Sequence, residues 1–303
     1  MMIPAKPCSY ERFPESEAFA AGMTVLPADF SARSCHIHRG VPYAIKERTL
    51  HLEIIEPEQS REGESFPLLI YVQGSAWGEQ QIGQELPQLC RFAARGYVIA
   101  VVQYRPSAQA PFPAQIRDTK DAARYLTANA SAYHADAGRM AVWGDSSGGH
   151  TALMSAFTWG LPAFDEKAGS PPLKFRAGGD FYGPTDISRM NEEPSTQDHI
   201  GADSPEGMLI GGVNVLAHPE NAALTVPMRY VQKERELPPV LIVHGSRDRL
   251  VPFGQSVMLY ECLKKAGKAV EAYQLKGADH GGAPFWSEKV LDLVDGFLQR
   301  HLM

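Results

Sequence analysis

The sequence predicts an α/β domain: a mostly parallel central sheet with helices on both faces and a small cap or insertion. Three observations carry this. Short, continuously apolar runs such as "PLLIYVQ" (Pro67–Gln73), "YVIAVVQY" (Tyr97–Tyr104) and "PPVLIVHG" (Pro238–Gly245) have the character of strands buried on both faces. Segments with helical apolar spacing alternate with them. No repeat or low-complexity tract breaks the alternation, and 303 residues at 44% hydrophobic content can bury one large core.

Taken in order, residues 1–46 are rich in Pro and aromatics with weak periodicity, and are expected to form an N-terminal arm or pocket wall. "RTLHLEII" (Arg48–Ile55) alternates apolar and polar, as an edge or antiparallel strand does. Gly83–Arg95 reads as a helix between the first two buried strands. Pro113–Ser131 reads as another, opening on Pro with Ile116, Ala123 and Leu126 at helical intervals. "RMAVW" (Arg139–Trp143) is a strand followed by helix-compatible "HTALMSAFTW". "FRAGGDFYG" and "PPVLIVHG" are further strands, "QSVMLYECLKKAG" a helix stopped at Gly267, and "VEAYQL" a last strand. Val290, Leu291, Val294, Phe297 and Leu298 share one face of a terminal helix. Two stretches rich in Pro, Gly and polar residues, Leu161–Leu173 and residues 186–236, are candidate lids or caps over a pocket. The whole, 1–303, is expected to be a single domain.

A formal net charge of −6 with no basic stripe argues against a nucleic-acid partner. No segment is apolar and long enough for a membrane span or a signal peptide, so a cytoplasmic location is expected, with a removed leader left open. The four cysteines, Cys8, Cys35, Cys90 and Cys262, have no paired spacing and predict neither a disulfide frame nor a metal site. Homo-oligomerisation is left open.

Chemistry concentrates in "VWGDSSGGHT" (Val142–Thr151). Gly144-Asp145-Ser146-Ser147-Gly148 fits G-x-S-x-G, preceded by a strand and followed by a helix, the context in which a serine sits on a strained turn with its hydroxyl exposed. Ser146 fills the nucleophile position. Ser147 fails the frame because Asp145 stands where Gly is required; its backbone N–H, at the head of the next helix, suits a developing oxyanion. His150 lies a turn into that helix and is expected to be packed or hydrogen-bonded to backbone. After later strands, "VLIVHGSRDRLVP" delivers Asp248 and "LKGADHGG" delivers His280, and parallel strands bring such loops to one edge. Asp279, Asp186 and Asp203 are weaker candidates for the acid. "YVQGSAWG" (Tyr71–Gly78), also at a strand end, is expected to supply oxyanion N–H groups from Ser75 and Ala76, with Gln73 bracing the loop. Trp77 and Tyr182 are candidate substrate contacts, with Trp159 and Phe181 behind them; His199 and His218 are expected to be solvated loop residues.

With "QGSAW", "GDSSGGH", "DFYGPTD", "SPEGMLIGG", "PPVLIVHGSRDRLVPFGQS" and "GADHGG" together, the chain from about Arg48 onward resembles the α/β-hydrolase superfamily. Within it, the chain is similar to feruloyl-esterase-like carboxylesterases near the hormone-sensitive-lipase group. The order Ser146, Asp248, His280 matches that superfamily. The resemblance implies a serine esterase without a cofactor or metal, acting on small acyl, phenolic or carbohydrate-linked esters. Gln73 and Ser75 depart from the His-Gly-Gly-Gly pattern of many such esterases. Two other classes remain: an amidase or peptidase with the same triad (arylformamidase-like or prolyl-oligopeptidase-like), and a binding module that kept the fold.

Overall fold

The computed structural model describes residues 4–30, 32–59, 61–165 and 173–303. The chain divides into two compact units, Met1–Ala32 and Arg33–Met303. In the first unit, a 3₁₀ turn at Tyr10–Arg12 is the only regular element among the described residues.

The second unit is built on eight strands: β1 (Cys35–Ile45), β2 (Thr49–Pro57), β3 (Phe66–Val72), β4 (Val98–Val102), β5 (Ala135–Asp145), β6 (Ala177–Phe181), β7 (Val240–Gly245) and β8 (Val270–Leu275). They lie in the order β1-β2-β4-β3-β5-β6-β7-β8. β2 is antiparallel to both neighbours, and every pair from β4 through β8 is parallel. The helices are α1 (Leu86–Ala93), α2 (Ala114–Ala128), α3 (Ser147–Phe157), α4 (Pro205–Leu209), α5 (Pro219–Leu224), α6 (Gly254–Lys265) and α7 (Glu288–Leu302). This is an α/β-hydrolase fold.

Alternation along the strands divides the core in two. Leu68, Ile70 and Val72 of β3 face α2, α3 and α6 through Leu126, Leu153 and Leu263. Leu69 and Tyr71 point the other way, onto Leu89 of α1 and Leu291 of α7. Apolar residues on both sides of one strand explain why the central strands read as unbroken runs.

β1 lies inside the segment expected to be an arm. Its register against β2 slips between His38 and Val41 and again between Pro42 and Ala44, with Gly40 at φ +60°. Two irregularities in eleven residues erase the period of two that marks a strand. Because β1 covers it, β2 is antiparallel as expected but is not an edge. Of the stretch Leu161–Leu173, residues 166–172 lie outside the described residues; Pro162–Phe164 forms a 3₁₀ turn whose Phe164 packs on Ile116 and Met154. No helix among the described residues is long and apolar enough to cross a membrane.

Just past β4, Arg105 turns onto α2. Its backbone N–H and guanidinium donate to the fully buried carboxylate of Asp118 at 2.8–2.9 Å. Removing one member of a buried pair leaves the other charge desolvated. Asp118→Ala should therefore cost about 3 kcal/mol, read as a lower urea midpoint at unchanged slope. A midpoint equal to the parent's would show that the pair does not hold α2.

Candidate active site

The loops following β3, β5, β6, β7 and β8 open on one edge because those strands run parallel. Ser146 is the single residue between β5 and α3. It adopts φ +52° and ψ −129°, a conformation that costs on the order of 1–3 kcal/mol and persists only when its surroundings enforce it. Its N–H is fixed to Phe181 O of β6 at 2.7 Å. Two glycines permit the crowding: a Cβ on Gly148 would fall 2.0 Å from Val72 O, and one on Gly74 would fall 2.7 Å from Ser146 Cβ.

The loop after β8 brings His280, whose Nε2 lies 2.9 Å from Ser146 Oγ. Its Nδ1 donates to Asp248 Oδ2 at 2.7 Å. Asp248 follows β7 and is fully buried. Its Oδ1 accepts the N–H groups of Leu250 and Val251, each at 2.9 Å, and Oδ2 accepts a second imidazole, His244 Nε2, at 3.1 Å. Burial pushes this carboxyl up; the hydrogen bonds from His244 and His280 outweigh it and hold Asp248 below the usual carboxylate range.

Ser75 to Gly78 form a tight turn closed by Gly78 N–H on Ser75 O at 2.9 Å, with Ala76 and Trp77 both at positive φ (+53° and +54°). The Ser75 N–H donates to Ser147 Oγ at 2.9 Å. Ser75, expected to supply an oxyanion N–H, thus has its one amide proton engaged within the loop in this structure. The N–H groups of Ala76 and Ser147 meet no acceptor among the described residues, and both residues border a cavity of about 320 Å³ that also contains Ser146 and His280. Gln73 braces the loop from outside, donating to Glu85 Oε2 at 2.7 Å. Burial, with the charge of Asp145 second, pushes Glu85 up to about 7. Asp145 itself is tied by Gly74 N–H (2.9 Å) and the Tyr71 hydroxyl (2.8 Å).

A family model described as BD-FAE matches residues 52–263. The chain belongs to the BD-FAE family. It is similar to two Mycobacterium tuberculosis proteins, Esterase LipQ (27% identical, 85% of this chain, 61% of the relative) and Esterase LipC (31%, 76% and 54%). The chain thus spans little more than half the length of these relatives. A solved carbohydrate esterase from gut microbiota, in truncated form, superposes with a TM-score of 0.75 at 26% identity, covering 91% of this chain and 98% of that one.

Other sequence-derived candidates in this BD-FAE chain have different positions. Tyr182 borders the cavity but packs edge-on against the His280 ring, centroids 4.7 Å apart, with its hydroxyl toward Asp145. Trp77 also borders it, yet its indole is buried against Ile187, Leu209 and Val215 of the insertion. Phe181 is core, and Trp159 lies against Arg235; neither lines this cavity. Asp279 pairs with Arg249 and Asp186 caps a 3₁₀ turn, leaving Asp248 as the acid on His280; Asp203 is exposed. His218 is part-exposed beside Glu220. His199 is not solvated. Its side chain is buried, with Nδ1 2.8 Å from Glu206 Oε1 and Nε2 3.0 Å from Leu250 O, and both residues line the cavity.

Sequence reasoning missed Glu85, Glu206 and His244. A histidine directly after the apolar run Val240–Val243 was the available signal for the last.

His150 is buried as expected. Its Nδ1 accepts the Trp77 indole N–H at 3.2 Å and its Nε2–H donates to Thr225 O at 2.7 Å. Burial lowers it to about 4. A folded-state value below the unfolded one means that the unfolded chain takes up the proton first. The neutral ring's contribution is full above the unfolded value and is lost as pH falls from about 6.5 to 4, by roughly 3 kcal/mol. His150→Gln should flatten the decline of unfolding free energy over that window relative to the parent; parallel curves would refute the assignment.

Proposed function

We propose that this chain is a serine carboxylesterase that cleaves short acyl esters of neutral carbohydrate alcohols through a covalent acyl-enzyme. The observation that carries this is one continuous relay, Ser146 Oγ to His280 to Asp248 at 2.9 and 2.7 Å, beside two N–H groups that meet no acceptor among the described residues. Ser146 Oγ attacks the ester carbonyl while His280 Nε2 takes its proton. The oxyanion gathers on the N–H groups of Ala76 and Ser147. The C–O bond to the alcohol breaks, and the alcohol leaves with the proton from His280. Water then attacks the acyl-serine by the same route, releasing the acid and restoring Ser146.

The cavity chemistry supports the substrate class. Among the described lining residues there is no Lys or Arg, whereas Glu85, Glu206 and Gln197 are present. Such a wall offers acceptors to hydroxyl donors and no Lys or Arg to pair with a carboxylate or phosphate. About 320 Å³ suits a short acyl chain. The gut carbohydrate esterase with the same fold is consistent with this choice.

Ser146→Ala should lower kcat on p-nitrophenyl acetate by more than about 10⁴-fold and abolish fluorophosphonate labelling. Retained turnover would remove Ser146 from the mechanism. On natural alcohols, acetylated neutral sugars should exceed the matching acetylated uronic acids in kcat/KM by about tenfold or more. Equal rates, or a preference for methyl ferulate or N-formyl anilines, would overturn the substrate class.

A further inference from the structure

We propose that His244 is a positioning residue for ester cleavage, a second imidazole that shares one carboxylate oxygen of Asp248 with His280 and thereby fixes the acid in place. This inference rests on the esterase reading above. His244 stands near the end of β7, fully buried. Its Nε2 faces two acceptors, Asp248 Oδ2 at 3.1 Å and Val251 O at 3.0 Å, so that nitrogen carries a proton. Its Nδ1 lies 2.7 Å from Ser256 Oγ on α6, which donates to it when the ring is neutral. Phe253 packs on the ring at 5.3 Å and Tyr182 approaches from the other direction at 6.5 Å.

The consequence is geometric. Asp248 Oδ1 is claimed by the backbone of its own loop, and because the carboxylate is planar the two anchors on Oδ1 and Oδ2 hold the group at both ends. Oδ2 must face the His280 ring for the imidazole to keep the tautomer that exposes Nε2 to Ser146. His244 pins Oδ2 from the far side, and Ser256 sets which way the His244 ring presents its N–H. Asp145, Tyr182 and the Arg249–Asp279 pair also lie near the relay, and Tyr260, Glu261 and Tyr273 line a cavity with His244 and Ser256, yet none of them hydrogen-bonds to the His244 ring nitrogens.

The test compares three variants on p-nitrophenyl acetate, with wild-type turnover and its loss in Ser146→Ala as the control that establishes the underlying reading. His244→Leu should lower kcat by about 10- to 100-fold with KM within about twofold, because the lost contact acts on the acid and not on substrate. His244→Gln, which keeps an N–H donor near the same point, should recover most of that loss. Ser256→Ala should lower kcat by a few-fold, and should add nothing further in the His244→Leu background. Independently of turnover, the low-field proton resonance of His280 Nδ1–H should persist in His244→Gln and broaden or move in His244→Leu. Equal losses in the Leu and Gln variants would reduce His244 to packing and overturn the inference, as would wild-type kcat in His244→Leu. Should His244→Leu fail to fold, an unchanged kcat in Ser256→Ala overturns it.

Discussion

Asp248 carries a carboxylate into a place where none of its surface meets water, and a lone buried anion there would simply protonate. Four N–H groups prevent that. Two belong to the next residues of its own loop, one to a strand behind it and one to a loop arriving from the far end of the chain. The buried charge therefore acts as a fastener among β7, the turn after it and the loop after β8. His280 is placed by what Asp248 requires as much as by its own backbone. Without the fourth donor the anion is under-satisfied, and without the anion the His280 ring keeps the Tyr182 contact but loses the hydrogen bond that fixes its Nδ1.

A second constraint is steric. The elbow, the β3 loop and the start of α3 approach so closely that Gly74 and Gly148 cannot carry a Cβ, and Ser146, Ala76 and Trp77 take positive φ without being glycine. Strain of that kind survives only where rigid partners surround it. Those partners are visible: Asp145 ties Gly74, Ser147 Oγ ties Ser75, and the Trp77 carbonyl accepts Ser107 N–H at 2.8 Å. The two uncommitted N–H groups at the cavity follow from this, since a turn pinned at Gly74 and Ser75 leaves Ala76 facing open space.

Much of this was legible in sequence for identifiable reasons. Strands buried on both faces announce themselves as apolar runs, and a G-x-S-x-G between strand and helix has a narrow set of meanings; Asp248 and His280 follow from parallel strands ending at one edge. β1 was not legible, because Gly40 and two register slips hide its periodicity. The burial of His199 was hidden because a polar loop gives no sign that a glutamate seven residues on will turn back to meet it. The engagement of the Ser75 N–H by Ser147 was not legible, since it depends on where the Ser147 hydroxyl points, a side-chain rotamer that spacing does not encode. Trp77 was recognisable as near the site, but its indole faces the insertion, and only the positive φ of its turn explains why.

The insertion between β6 and β7 is bound into the site at several points, which makes it a wall more than a lid. Thr196 N–H and Ser195 Oγ donate to the carbonyls of Arg249 and Leu250 at 2.8 and 2.9 Å, and His199 adds a third bond to Leu250 O. Leu250 is also a residue whose N–H holds Asp248. The same peptide segment thus faces the acid on one side and the substrate wall on the other. From the opposite end, Thr225 O holds His150, which holds the Trp77 indole, whose backbone shapes the anion-binding turn. Residues of the insertion that line the cavity and residues around the Ser146–His280–Asp248 relay therefore share hydrogen bonds. Changes in the insertion are expected to move kcat together with KM, because neither can relax without disturbing the other.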